Sequence, residues 1–140
     1  MRGDDRDKAI VEIKEVLRID PSKWAQREIL ADTYYEMGDY DRACQEYERV
    51  LRDYPRNAMG HCKLGRVYYQ KGQYTLARDE FMKAIEVYQK MAEAHLGLGL
   101  SYCALGDKEG ALPEMKTLKD LKKAEMAAQL SEAIGRMKVR

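Results

Sequence analysis

Residues 30–55 read LADTYYEMGDYDRACQEYERVLRDYP, and this pattern of side chains recurs when the sequence is offset by 34 residues. The offset aligns three segments without a gap, namely 24–57, 58–91 and 92–125. Counted from the start of each segment, position 7 is leucine, position 11 tyrosine, position 15 glycine and position 20 alanine in all three. Position 8 is alanine or glycine, and position 24 is tyrosine, phenylalanine or methionine. A recurrence at one fixed period indicates an array of structural repeats.

Each repeat is predicted to be a hairpin of two helices. Positions 4, 7, 8 and 11 are three or four residues apart, so they share one face of a first helix. The glycine at position 15 (Gly38, Gly72 and Gly106) supplies the left-handed backbone conformation that ends a helix. The second helix then carries the alanine of position 20 and the large apolar residue of position 24. Because positions 8 and 20 are small, the two antiparallel helices are expected to approach each other closely.

This pattern resembles the tetratricopeptide repeat family, whose unit is a helix–turn–helix of 34 residues. The resemblance covers residues 24–125 and implies an all-α solenoid in which 24–57, 58–91 and 92–125 are full repeats. The chain departs from the family at position 4, which is often aromatic there and is Arg27, His61 or His95 here.

The repeat register continues at both ends of this region. Toward the N-terminus, residues 5–23 are predicted to be half a repeat, because second-helix positions 20, 24, 27 and 28 are filled by Ala9, Ile13, Val16 and Leu17. Toward the C-terminus, a capping helix is predicted over 124–137 from the apolar stripe Ala124, Ala127, Leu130, Ile134 and Met137. The prediction is one domain over 1–140 with eight helices.

Composition excludes several classes of protein. The chain has 25 basic and 24 acidic residues, so no overall field attracts nucleic acid or an acidic membrane surface. The longest uncharged stretch, 94–106, is shorter than the roughly 20 residues that a membrane-spanning helix requires. Three cysteines without a Cys-x-x-Cys pair fit free thiols in a reducing compartment. We therefore predict a cytoplasmic protein with no nucleic-acid partner and no membrane insertion.

No motif in the sequence points to catalysis. Gly60 and Gly65 have the glycine spacing of a phosphate-binding loop, but Arg66 and Val67 replace its lysine and its serine or threonine. The sequence has two histidines, both at position 4, where we expect partly buried imidazoles rather than metal ligands. The prediction is a protein that is not an enzyme and that holds no metal and no cofactor.

The family resemblance implies a binding groove on the first helices of successive repeats. In the family, positions 2, 5, 9, 12 and 13 line this concave groove, on a helix face distinct from the core positions. The residues expected to contact a partner are Glu28, Asp32, Tyr35 and Glu36 in the first repeat, Met59, Cys62, Arg66, Tyr69 and Gln70 in the second, and Leu96, Leu100 and Cys103 in the third. One alternative stays open, in which the apolar members pack against the C-terminal helix or only cover the interior of the superhelix.

The predicted function is a non-catalytic scaffold that binds a peptide or a helix of a partner protein in this groove. Its tyrosines and leucines favour apolar partner residues, and its acidic side chains favour basic ones. Some family members bind the C-terminal carboxylate of chaperones through Lys, Asn and Arg, but position 5 holds Glu28, Cys62 and Leu96 here, which disfavours that role. The alternative function is self-assembly, as a homo-oligomer formed through the terminal helices.

Overall fold

The computed structural model describes residues 3–137, and within them the chain forms eight α-helices joined by short turns. The helices are α1 (Gly3–Ile19), α2 (Trp24–Glu36), α3 (Tyr40–Asp53), α4 (Ala58–Gln70), α5 (Tyr74–Val87), α6 (Ala92–Ala104), α7 (Lys108–Asp120) and α8 (Ala124–Gly135). The predicted all-α class and helical-hairpin pattern are confirmed. The predicted domain bounds of 1–140 also include residues 1–2 and 138–140, which lie outside the described residues. No helix in the described part is long and apolar enough to cross a membrane.

The helices fall into two compact units. The N-terminal unit ends at Pro55 and holds α1, α2 and α3, in which α2 packs against both of its neighbours. The C-terminal unit begins at Arg56 and holds α4 to α8, in which each helix packs against the next. Within this second unit α6 also contacts α4 and α8, so first helices of successive repeats lie side by side.

Three hairpin turns use the predicted glycines, and a fourth turn uses a lysine. Gly38, Gly72 and Gly106 have φ values of +80°, +77° and +79°, the left-handed region that glycine adopts without steric cost. Lys122 has φ of +60° in the turn between α7 and α8, and its N–H donates to the carbonyl of Lys119 as glycine does in the other turns. Because of this tight turn, α8 begins at Ala124, two residues before the position at which a fourth 34-residue segment would begin.

The core of the C-terminal unit is built around close helix approaches. A Cβ placed on Gly65 of α4 would lie 2.9 Å from the Phe81 ring, and one on Gly97 of α6 would lie 2.3 Å from it. Phe81 of α5 therefore packs against the backbones of two first helices. The expected close approach between the two helices of one repeat is confirmed at Gly65. At Gly99 an added Cβ would lie 3.3 Å from Cβ of Glu114 on α7 and 2.5 Å from Leu130 of α8, so α8 also packs closely on α6.

Helix α8 covers the end of this core. Ala127, Leu130 and Ile134 are buried and form a cluster with Ala111 and Leu118 of α7, as the predicted apolar stripe requires. Ala124, the first member of that stripe, is exposed because it is the first residue of the helix.

Candidate functional site

In the N-terminal unit the predicted groove residues lie on α2. Glu28, Asp32 and Tyr35 are half-buried and Glu36 is exposed. The hydroxyl of Tyr47 on α3 donates to Oδ1 of Asp32. This hydrogen bond holds Asp32 in place on the acidic face of α2 that Glu28, Asp32 and Glu36 form.

Two further contacts support the end of this face. Arg6 of α1 approaches Glu36, with Nε 3.9 Å from Oε2. The rings of Tyr35 and Tyr40 lie 5.5 Å apart between centroids and are tilted by 57°. Tyr35 is thus held by α3 while part of its ring stays accessible.

In the C-terminal unit, α4 presents four of its predicted residues to solvent. Met59 is 41% exposed, Arg66 and Gln70 are exposed, and Tyr69 is half-buried. The Tyr69 ring meets the ring of Tyr74 edge-on, with centroids 5.2 Å apart. Burial, with the nearby Tyr74 and Cys103, raises the pKa of Tyr69, so its hydroxyl remains a neutral hydrogen-bond donor.

Cys62 does not belong to this accessible set, and its expected partner contact is wrong. The side chain is 1% exposed and sits in a core cluster with Phe81 of α5 and Leu98 of α6. The physical reason is that α6 packs directly onto α4, which closes position 5 of α4 from solvent. Burial, with a contribution from Glu93, raises the pKa of the thiol to about 11, so the thiolate that would react is suppressed.

The third group of predicted residues is shared with the C-terminal helix. Leu96, Leu100 and Cys103 are half-buried on α6 and pack against the cluster that includes Leu130 of α8. Burial also raises the pKa of Cys103. Each of the three therefore keeps only part of its surface for a partner.

We define the α4–α6 surface as the accessible set that remains in this unit: Met59, Arg66, Tyr69 and Gln70 on α4 with Glu93 on α6. Arg66 and Glu93 both lie near the buried Cys62, and their opposite charges shift the pKa of its thiol in opposite directions. The surface therefore combines one aromatic ring, one flexible thioether, an amide and charges of both signs. Such a set suits binding by contact area and hydrogen bonds.

One repeated feature of the fold escapes the motif search. The residue at position 4 of each first helix pairs with a glutamate at position 23 of the same repeat, as an ion pair for Arg27 and as a short N···O contact for the two histidines. The distances are 2.8 Å from Nη1 of Arg27 to Glu46, 2.7 Å from Nδ1 of His61 to Glu80, and 2.5 Å from Nδ1 of His95 to Glu114. The signal was available, because position 23 is glutamate in all three aligned segments.

These pairs explain how position 4 tolerates polar residues. His61 and His95 are buried, as expected, and Nε2 of His95 also lies 2.6 Å from the Gln89 carbonyl. Burial alone raises the pKa of Glu80, but hydrogen bonds from His61 and Lys83 outweigh that effect and the pKa lies below its ordinary value. In residues 3–137, no three His, Cys, Asp or Glu side chains are grouped closely enough to hold a metal ion.

Comparison with known proteins adds a family and a set of similar folds. The family model described as tetratricopeptide repeat matches residues 30–89 and 62–125. No curated protein matches the sequence at a significant level. Among solved structures, that of MamA AMB-1 is 25% identical with a TM-score of 0.75, and the match covers 84% of this chain and 64% of that one. The chain thus spans less than two thirds of that protein's length.

Two other solved structures have the same fold at lower identity. A crystal structure of MamA is 21% identical with a TM-score of 0.82, covering 93% of this chain and 86% of that one. The TPR2B-domain:pHsp70 complex of yeast Sti1 is 16% identical with a TM-score of 0.78, covering 83% of this chain and 98% of that one. At these identities the likeness is one of fold.

Proposed function

Because the chain belongs to the tetratricopeptide repeat family, we propose that it is a non-catalytic scaffold that binds a peptide or a helix of a partner protein on its first helices. The observation that carries the proposal is the α4–α6 surface. Tyr69 is held edge-on by Tyr74, so its ring loses little rotational freedom when a partner covers it. Met59, near the other end of α4, adapts its shape to different apolar side chains.

The chemistry of this surface describes the expected partner. Apolar side chains of the partner would pack on Tyr69 and on Met59, while Arg66, Gln70 and Glu93 would orient polar groups around them. The half-buried side chains of Leu96 and Leu100 on α6 would add apolar contact area for the partner. We assign the acidic face of α2 to the same role in the N-terminal unit, with a preference for basic partner residues.

The yeast Sti1 domain, which was solved with pHsp70, supports peptide binding by this fold but not the same ligand. A clamp for a terminal carboxylate needs several cationic and amide side chains, and positions 5 and 9 here hold carboxylates, a thiol and leucines with one cation, Arg66. An internal peptide segment or an amphipathic helix is the better fit. We place this role in a reducing compartment such as the cytoplasm, since Cys44, Cys62 and Cys103 are free thiols.

The proposal is tested by selecting ligands from a peptide display library and measuring their affinity for a double variant. We expect Met59→Ala with Tyr69→Ala to weaken binding about tenfold or more, because an aromatic anchor carries a large share of interface energy. The matched control is Met82→Ala with Tyr88→Ala, which removes the same two residue types from exposed sites on α5 and at its end. Equal loss in both double variants would refute a role for the α4–α6 surface.

A further inference from the structure

Helix α1 exposes positions that every complete repeat buries. Positions 20 and 27 of a second helix are fully or almost fully buried in the three complete repeats, at Ala43, Val50, Ala77, Ala84, Ala111 and Leu118. In α1 the same positions are Ala9, which is half-buried, and Val16, which is 37% exposed. In the C-terminal unit these side chains lie in core clusters that also contain residues of the first helix of the same repeat, namely Cys62 of α4 and Ala92 of α6. Within the described residues, α1 has no such helix beside it.

The same face of α1 carries a glutamate that has no partner among residues 3–137. Glu12 occupies position 23, where Glu46, Glu80 and Glu114 each pair with the arginine or histidine at position 4 of their own first helix. Glu12 is exposed and makes no hydrogen bond or ion pair with any residue in 3–137. We call Ala9, Glu12 and Val16 the open face of α1. Among residues 3–137 it lacks the apolar neighbour and the arginine or histidine partner that a first helix supplies in the complete repeats.

We propose that the open face of α1 binds an amphipathic helix of another protein that reproduces the pattern of this chain's own first helices. The internal repeats specify the pattern: arginine or histidine, then leucine three residues later, alanine or glycine four residues later, and tyrosine seven residues later. The cation pairs with Glu12, the small residue lies over Ala9, and the apolar side chains cover Val16. This site is separate from the α4–α6 surface and does not depend on the proposed function.

A synthetic peptide with the sequence of residues 24–36, WAQREILADTYYE, is the probe, because it contains the pattern as Arg27, Leu30, Ala31 and Tyr34. We expect saturable binding to the full chain by fluorescence anisotropy, with a gain of helicity in the peptide. Glu12→Arg should weaken this binding about tenfold, since it replaces an attraction with a repulsion at a partly desolvated pair. Arg27→Glu in the peptide should restore binding to the Glu12→Arg protein.

The control is Asp7→Arg, which makes the same charge change at an exposed site on the opposite side of α1 and should leave binding unchanged. Val16→Asp should also abolish binding, and circular dichroism of each variant checks that the helices are intact. Absence of saturable binding at millimolar peptide, or equal effects of Glu12→Arg and Asp7→Arg, would overturn the proposal. Sedimentation of the chain alone that shows dimers sensitive to Glu12→Arg would overturn it as well, because the occupant would then be a second copy.

Discussion

The contact between positions 4 and 23 keeps the same geometry in three repeats although the residue at position 4 changes from arginine to histidine. Arg27 is charged at every physiological pH, whereas His61 and His95 are imidazoles in the same place. The invariant member is the glutamate, which accepts from whichever donor faces it. Because the side chains of each pair are only 9–15% exposed, removal of one partner would leave the other without a hydrogen bond to protein and with little access to water.

This arrangement predicts acid-sensitive stability that depends on Glu80. Its pKa in the folded chain lies below its ordinary value, so the folded state binds the proton more weakly than the unfolded chain does. The contribution to the free energy of unfolding is therefore fully present above the ordinary glutamate pKa and is lost as the pH falls through the lowered value. We expect Glu80→Gln to cost about 1–3 kcal/mol at neutral pH and to flatten the decline of stability on acidification.

Urea denaturation at a series of pH values from neutral to acidic measures this effect. Glu86→Gln is the matched control, because Glu86 is an exposed glutamate on the same helix. Its unfolding free energy should follow that of the unmodified chain at each pH. A Glu80→Gln profile parallel to these two would contradict the assignment.

At the scale of the elements, the turns determine where each helix begins. A left-handed residue ends the first helix of each hairpin, and the next helix starts two residues later, at Tyr40, Tyr74 and Lys108. The turn from α7 to α8 copies this geometry with Lys122 in the glycine place. As a result Leu130 is the seventh residue of α8, and leucine is also the seventh residue of α2, α4 and α6.

The lysine in that turn predicts a stabilising substitution. In the left-handed conformation a residue with a Cβ is strained by about 1–2 kcal/mol relative to glycine. Glycine also makes the unfolded chain more flexible, which lowers the free energy of unfolding by roughly 0.5–1 kcal/mol. Lys122→Gly should therefore stabilise the protein by about 0.5–1 kcal/mol in urea denaturation. Lys116→Gly, inside α7, should destabilise it by about 1 kcal/mol instead. If both substitutions destabilise equally, the turn does not have this conformation.

For the whole molecule, periodicity is sufficient to predict the all-α class, the eight helices and the hairpin turns, because each follows from local spacing within one repeat. Periodicity is not sufficient to predict which side chains of the site are exposed. Cys62 and Leu96 occupy the same repeat position, yet the first is covered by α6 and the second is partly covered by α8. Both side chains are covered by the helix that follows in the array. How closely that helix approaches depends on backbone features such as Gly97 and the turn at Lys122.

Phe81 carries this coupling between repeats in the C-terminal unit, since its ring packs on α4 of its own repeat and on α6 of the next. In a repeat protein, stability is the sum of the individual repeats and of the contacts between neighbours, so a residue that serves both contributes twice. We expect Phe81→Ala to cost about 3–5 kcal/mol and to broaden the urea transition, because loss of the neighbour contact lets repeats unfold separately. Met82→Ala, the adjacent exposed residue, should stay within roughly 0.5 kcal/mol of the unmodified chain. A Phe81→Ala protein that is destabilised but unfolds as steeply as the unmodified chain would show that the coupling runs through other contacts.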